Sequence, residues 1–270
     1  MKKVYIISGI IFSILLFATL AAAAPIGKIS RILGNVDITP AGASQARVVS
    51  AGDAVNTGDI IRTKSKSKAE ITFNEGNTLR LAENTRVKIS DYMSGRDKNN
   101  SLLKLMRGTV ENTVKTVGGI AGGRYEVHTE TAASGVRGTQ FFVSFYNGVT
   151  RVVIQEGAVY GYNLKMPDNV QTMNPGQAMM VAGAAQAPVK TPVSPSELKA
   201  LQQATDPGSS TFAPLGQTGQ EPPTAEDLLK GKDSPGLKQR NTLETFTPPP
   251  GETKTYIPPP RAPADPHPYP

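Results

Sequence analysis

The stretch SKAEITF (67–73) alternates along its length. Ala69, Ile71 and Phe73 share one parity, and Lys68, Glu70 and Thr72 share the other. That period buries one apolar face as a strand and none as a helix, because successive strand side chains point to opposite sides. The pattern recurs. In TLRLA, Leu79 and Leu81 oppose Arg80; in TRVKIS, Val87 and Ile89 oppose Arg86 and Lys88. RYEVHT sets Tyr125 and Val127 against Glu126 and His128, and TQFFVSF puts Phe141, Val143 and Phe145 on one face. Turn signals such as AGD at 51, TGD at 57, NEGN at 74, YNG at 146 and NPGQ at 174 separate these runs, supplying residues that tolerate tight backbone angles. About ten short strands joined by such turns predict an all-β domain.

Glycine precedes a strand-entering valine by two residues in GNV at 34, GTV at 108 and EGAV at 156. Recurring Gly-x-Val corners suit strands wound in successive coils, a compact β-solenoid or roll. A β-sandwich is the alternative that gives nearly the same pattern.

Composition divides the chain. Residues 26–181 hold three prolines, whereas 186–270 hold 18 in 85 residues with no sustained apolar period. Such a tail cannot bury enough surface to offset its ordering entropy. Residues 184–270 are therefore expected to be a disordered, proline-rich tail, with short helices at 195–204, capped by Ser194, and at 225–230. At the other end, Lys2 and Lys3 precede an apolar run from Ile6 to Leu20 and then four alanines. That order is the signature of a secretory signal peptide over 1–24, cut after Ala22 or Ala23. It leaves no membrane span after cleavage and places the domain, residues 25–183, in the periplasm, at the cell surface or outside the cell.

The chain has no cysteine, which excludes disulfides, thiolate metal sites and a cysteine nucleophile. The net charge is +7, and removing Lys2 and Lys3 from the 29 basic residues leaves an excess of five over the 22 acidic ones. Outside the cytoplasm such an excess points to an envelope protein or an anionic envelope glycan as partner, and not to nucleic acid.

Two motifs are candidates for function. TAASGVRGTQFFV (131–143) resembles a phosphate loop only superficially, since a strand and not a helix follows it. Its Gly135, Arg137, Gly138, Thr139 and Phe141 read as a structural motif. The glycines allow turn conformations or a close backbone approach, and Arg137 pairs with a carboxylate such as Glu130 or Glu156. RTKSKSK (62–68), if extended, projects Arg62, Lys64, Lys66 and Lys68 from one face as a stripe about 20 Å long, a binding surface for an anionic envelope component. The plainer reading is a solvated edge strand kept from aggregating by its lysines. Catalysis, metal and cofactors find no constellation. His128 is the only histidine in the strand region, and Glu75, Glu83, Asp91 and Glu156 lack a tryptophan platform for a glycosidase.

The succession GNVDI, AGDAVNTGDIIRT, SKAEITFNEGNTLRLAENTRVKI, LMRGTVENTV, YEVHTETAASGVRGTQFFVSF, TRVVIQEGAVYGYN and NPGQAMMV resembles FecR-like domains over roughly residues 27–182. The Val-Arg-Gly-Thr-x-Phe run at 136–141 and the Gly-Asp-x-Ile turn at 58–61 are its most specific parts. The resemblance implies an extracytoplasmic, non-enzymatic domain, here without the cytoplasmic helical anti-sigma domain of signalling members. The expected function is binding or scaffolding at the bacterial cell envelope. Alternatives are an accessory sensor in transporter-linked signalling and, more weakly, a cell-wall glycan-processing enzyme.

Overall fold

The structure is a computed structural model and describes residues 24–93, 100–115, 124–136, 138–183 and 185–212. In chain order the strands are β1 (Gly27–Leu33), β2 (Val36–Thr39), β3 (Arg47–Val48), β4 (Ala54–Val55), β5 (Ile60–Thr63), β6 (Lys68–Phe73), β7 (Thr78–Leu81), β8 (Arg86–Met93) and β9 (Asn100–Val114). They continue as β10 (Arg124–His128), β11 (Ala132–Val136), β12 (Thr139–Tyr146), β13 (Val149–Glu156), β14 (Val159–Asn163), β15 (Gln171–Met173), β16 (Gln177–Val181) and β17 (Val189–Pro192). One helix, α1 (Pro195–Thr205), ends the described chain's regular structure. The expected all-β class is what the chain adopts.

The strands roll into two layers. In the first, the order is β4-β1-β6-β7-β9-β12-β13-β16-β17. In the second it is β3-β2-β5-β8-β9-β10-β11-β14-β15. Every pair is antiparallel except β9 with β10. Between the layers lies one apolar core, with Ile29, Ile61, Ile71, Leu79, Val87, Leu103, Phe141 and Val152 fully buried.

The Gly-x-Val corners mark where the chain changes layer. Gly34 lies between β1 and β2, Gly157 between β13 and β14, and Gly108 inside β9. Their φ angles of 76°, 82° and 100° are positive, and Val36, Val159 and Val110 enter the core just after them. Gly108 shows why. A Cβ there would sit 2.3 Å from Thr85 Oγ1 and 2.5 Å from Thr85 Cα, and an L side chain disfavours that backbone angle in any case. Residues 100–107 of β9 therefore pair with β8 and β10, and residues 108–114 pair with β7 and β12.

The alternation in β6 has a different outcome from the expected one. Ala69, Ile71 and Phe73 face the core, yet Lys68 and Glu70 are buried as well. The cause is the segment 185–212, which the sequence reading assigned to the tail beginning at 184. It runs as a strap across the outer face of the first layer. β17 adds to β16, and α1 follows under its Ser194 cap, whose Oγ accepts the Glu197 N–H at 3.1 Å. Leu201 of α1 packs on Phe142, Val153 and Ala178, burial worth about 2 kcal/mol. An 11-residue helix is marginal alone, and this contact is what makes it persist. The second expected helix, at 225–230, lies outside the described residues.

Lys68 closes the strap. Its Nζ donates to the carbonyl oxygens of Gln203 (2.6 Å), Thr211 (2.8 Å), Ser209 (2.9 Å) and Asp206 (3.2 Å), and it lies 4.9 Å from the centre of the Phe212 ring. Three N–H bonds are thus shared among four acceptors. Burial pushes the Lys68 ammonium below its usual pKa, an effect that Asp206 and Glu83 oppose. Beside it, burial alone would raise the Glu70 carboxyl, but hydrogen bonds from Arg31, Arg80 and Ser30 outweigh it and hold the group below its ordinary value of 4.5.

Two outcomes follow for this face. Lys68→Met leaves four carbonyls without their shared donor and should lower stability by about 3 kcal/mol; limited proteolysis should then cut within 185–194, a segment that should stay protected in the wild-type protein. Because the folded-state pKa of Glu70 is depressed, its contribution is full above about 4.5 and is lost as pH falls through the lower folded value. Glu70→Gln should therefore weaken the protein at about pH 6 and flatten the decline in its urea midpoint between about pH 5 and pH 3. An unchanged decline would show that other carboxyls carry the acid sensitivity.

Candidate functional site

The strap covers part of the first layer's outer face, while Arg62, Lys64, Arg86, Lys104 and Arg107 on the second layer's side stay exposed. That layer's cross-strand register brings charges together that lie far apart in the chain. Asp37 on β2 stands opposite Arg62 on β5, Arg62 opposite Arg86 on β8, and Arg86 opposite Arg107 on β9. The next row sets Lys88 opposite Lys104, and Lys104 opposite His128. Like charges directly opposite on one face are destabilising, so three arginines on adjacent strands call for a counter-charge.

Asp37 relieves only one side of this row. Its carboxylate accepts Arg62 Nε at 3.1 Å and Arg62 Nη2 at 2.6 Å, with Lys64 Nζ at 3.6 Å. Among the described residues, neither Arg86 nor Arg107 makes an ion pair. Arg62, Lys64, Asn84, Arg86, Met106 and Arg107 line an open hollow of about 630 Å³. Glu83, next in sequence to the lining residue Asn84, is engaged by the Lys66 N–H at 2.8 Å. Four cations, with the buried Asp37 and the neighbouring Glu83 as the nearby carboxylates, make the hollow an anion site in character. Guanidinium forks suit carboxylate and phosphate oxygens.

The RTKSKSK stripe is rearranged. β5 stops at Thr63 and Lys66 takes a left-handed turn conformation with φ of 52°, so the segment is a turn between two layers and not an extended strand. Arg62 and Lys64 remain in the hollow, Lys66 is exposed on the turn, and the Lys68 ammonium is consumed by the strap. A local sequence pattern could supply the first two. Arg86 was visible only as a solvent-parity residue, and Arg107 carried no local signal, because strand register decides their meeting.

The stretch 131–143 is structural in its described part. Gly138, with φ of 65°, turns the chain from β11 into β12. Thr139 Oγ1 donates to the Ala158 carbonyl at 3.0 Å, and Phe141 is fully buried. Gly135 serves close approach: a Cβ there would lie 2.1 Å from Cζ and Oη of Tyr160. Arg137 lies outside the described residues, and with it the expected pairing to Glu130 or Glu156. The carboxylates considered for catalysis occupy separate elements, Glu75 in the β6–β7 turn, Glu83 in the β7–β8 turn, Asp91 on β8 and Glu156 at the end of β13. The aspartates of AGD and TGD form turns. Asp53 accepts the Ser50 N–H, and Asp59 accepts those of Asn56 and Ala41.

Residues 59–160, which include this whole row except Asp37, match the family model described as FecR protein. That segment is similar to a FecR domain. This chain is also similar to two crystal structures, at 1.65 and 2.50 Å resolution, of a candidate anti-sigma factor from Parabacteroides distasonis ATCC 8503. Each shares 20% identity with a TM-score of 0.44, covering 53% of this chain and 64% of theirs. The chain thus spans less than two thirds of the length of those proteins. No curated protein matches it. The arginine row lies on β5, β8 and β9, all inside the matched region.

The row's cost is measurable. Arg86→Glu replaces repulsion with attraction to Arg62 and Arg107, and should stabilise the protein by about 0.5 kcal/mol at low salt, a gain that shrinks on adding salt. Calorimetry showing a loss would assign Arg86 a structural role.

Proposed function

We propose that this protein is an exported, non-enzymatic recognition module of the FecR class. It works at the bacterial cell envelope and grips an anionic partner on the exposed face of the second layer. The observation that carries this reading is the Arg62–Arg86–Arg107 row. A surface that holds like charges side by side, with a hollow between them, is organised for a counter-charge from outside the chain. Export is inferred from the amino-terminal sequence, and the absence of catalysis from the scattered carboxylates together with the FecR match. The strap supports the same direction, since it leaves the basic face as the large open sheet surface.

The FecR match also favours a second reading, an accessory regulator in envelope signalling. The basic face would then meet an acidic protein surface, and the same arginines would carry the contact.

The test uses inorganic polyphosphate as the anionic probe and the mature protein. The wild type should bind, and a fourfold rise in salt should weaken binding by about tenfold or more, as expected when several cations release counterions. Arg86→Glu with Arg107→Glu should abolish binding, while Arg47→Glu, which only disturbs the exposed pair with Asp53 at 2.8 Å, should not. Binding that survives the double reversal would remove this face from the function.

A further inference from the structure

A second feature of the same face specifies what kind of anion fits. Tyr160 on β14 stands opposite Gly135 on β11, which stands opposite Glu126 on β10. The Tyr160 ring crosses directly over the glycine, so close that a Cβ would meet Cζ and Oη at 2.1 Å. Its hydroxyl donates to Glu126 Oε1 at 2.9 Å, two strands away. Glu126 Oε2 contacts His128 Nε2 at 2.9 Å, and Arg124 Nε lies 3.7 Å from Oε1. The ring therefore lies across the Gly135 backbone, tethered at its hydroxyl and half-buried. Around it stand a carboxylate, an imidazole and a guanidinium, planar groups that donate to and accept from hydroxyls.

A flat, tethered aromatic surrounded by planar polar groups is a platform for a pyranose ring. Its weakly positive C–H face meets the negative π-face, and its hydroxyls reach the rim. Arg124 and the nearby Lys104 disfavour a cationic occupant. Between this platform and the arginine row lie Lys104 and Lys88, paired with His128 and with each other. Three strand spacings across and about five residues along separate the two ends, roughly 20 Å. A single phosphate or a lone sugar cannot touch both; a chain can.

We propose that the ligand of this face is an acidic polysaccharide, with sugar rings stacked on Tyr160 and carboxylate or phosphate groups held by Arg62, Arg86 and Arg107. The inference rests on the anion-binding reading of the previous section and deepens it. Inorganic polyphosphate carries charge without sugar rings and needs only the arginines. Polygalacturonate carries charge on sugar and engages both ends.

The experiment compares the two probes on the mature protein by titration at fixed salt, with vesicles of anionic phospholipid as a third. Tyr160→Ala should weaken polygalacturonate binding by about tenfold and leave polyphosphate binding within about twofold. Tyr160→Phe, which keeps the ring, should retain most of the affinity. Glu126→Gln, which preserves the shape of the rim, should weaken polygalacturonate alone. Far-ultraviolet circular dichroism confirms that each variant is folded. If Tyr160→Ala and Glu126→Gln change neither probe while the arginine reversals abolish both, the sugar platform is overturned and the anion face stands. If polygalacturonate does not bind at all, or only vesicles do, the polysaccharide assignment is overturned; loss of polyphosphate binding from the wild type would remove the anion reading too.

Discussion

The change of layer at Gly108 ties the protein together, because a single strand supplies hydrogen bonds to both sheets. Residues of β9 before the bend pair with β8 and β10, and those after it pair with β7 and β12. Thr85 holds the bend from the side, its Oγ1 accepting the Thr109 N–H at 3.1 Å and donating to the Thr109 carbonyl at 3.2 Å. The core then forms between two sheets that cannot slide independently. For a chain with no cysteine, this continuity replaces a covalent cross-link as the device that keeps the layers in register.

The two outer faces meet different fates for a physical reason. On the first layer, Phe142, Val153 and Ala178 present an apolar patch that water solvates poorly, and α1 covers it. Covering it also encloses polar groups, and each finds partners. Thr205 donates to Glu111 at 2.6 Å, Arg151 reaches Glu197 at 2.8 Å, and Lys68 meets four carbonyls. The second layer offers no such patch. It displays the exposed Arg62, Arg86, Lys104 and Arg107 beside the half-buried Tyr160 and Tyr162. Uncompensated arginine charge thus gathers on the face that the strap does not cover.

Much of the architecture was legible in the sequence because period-two alternation is local: Val87 and Ile89 against Arg86 and Lys88 fix a strand and its buried side without outside information. The Gly-x-Val corners were legible for the same reason, since positive φ is a property of one residue. What escaped depends on distant contacts. Lys68 has the parity of a solvent residue and is buried only because a segment about 140 residues later lies on it. The strap was hidden by its proline content, which it shares with the sequence beyond it, although Ser194 and Glu197 announced the helix. The arginine row depends on three separate strand registers, and nothing near Arg107 reveals Arg86 as its neighbour.

The Lys68 clasp has a mechanical meaning. Tension applied through the described chain's carboxyl end at Phe212 would load the ammonium–carbonyl cluster first, then α1, then the short β17 ladder, each in series and peripheral to the core. These elements can peel away one after another while β9 and the sheets around it stay whole. The strap is in this sense a fuse, and pulling would strip it before disturbing the basic surface on the far side.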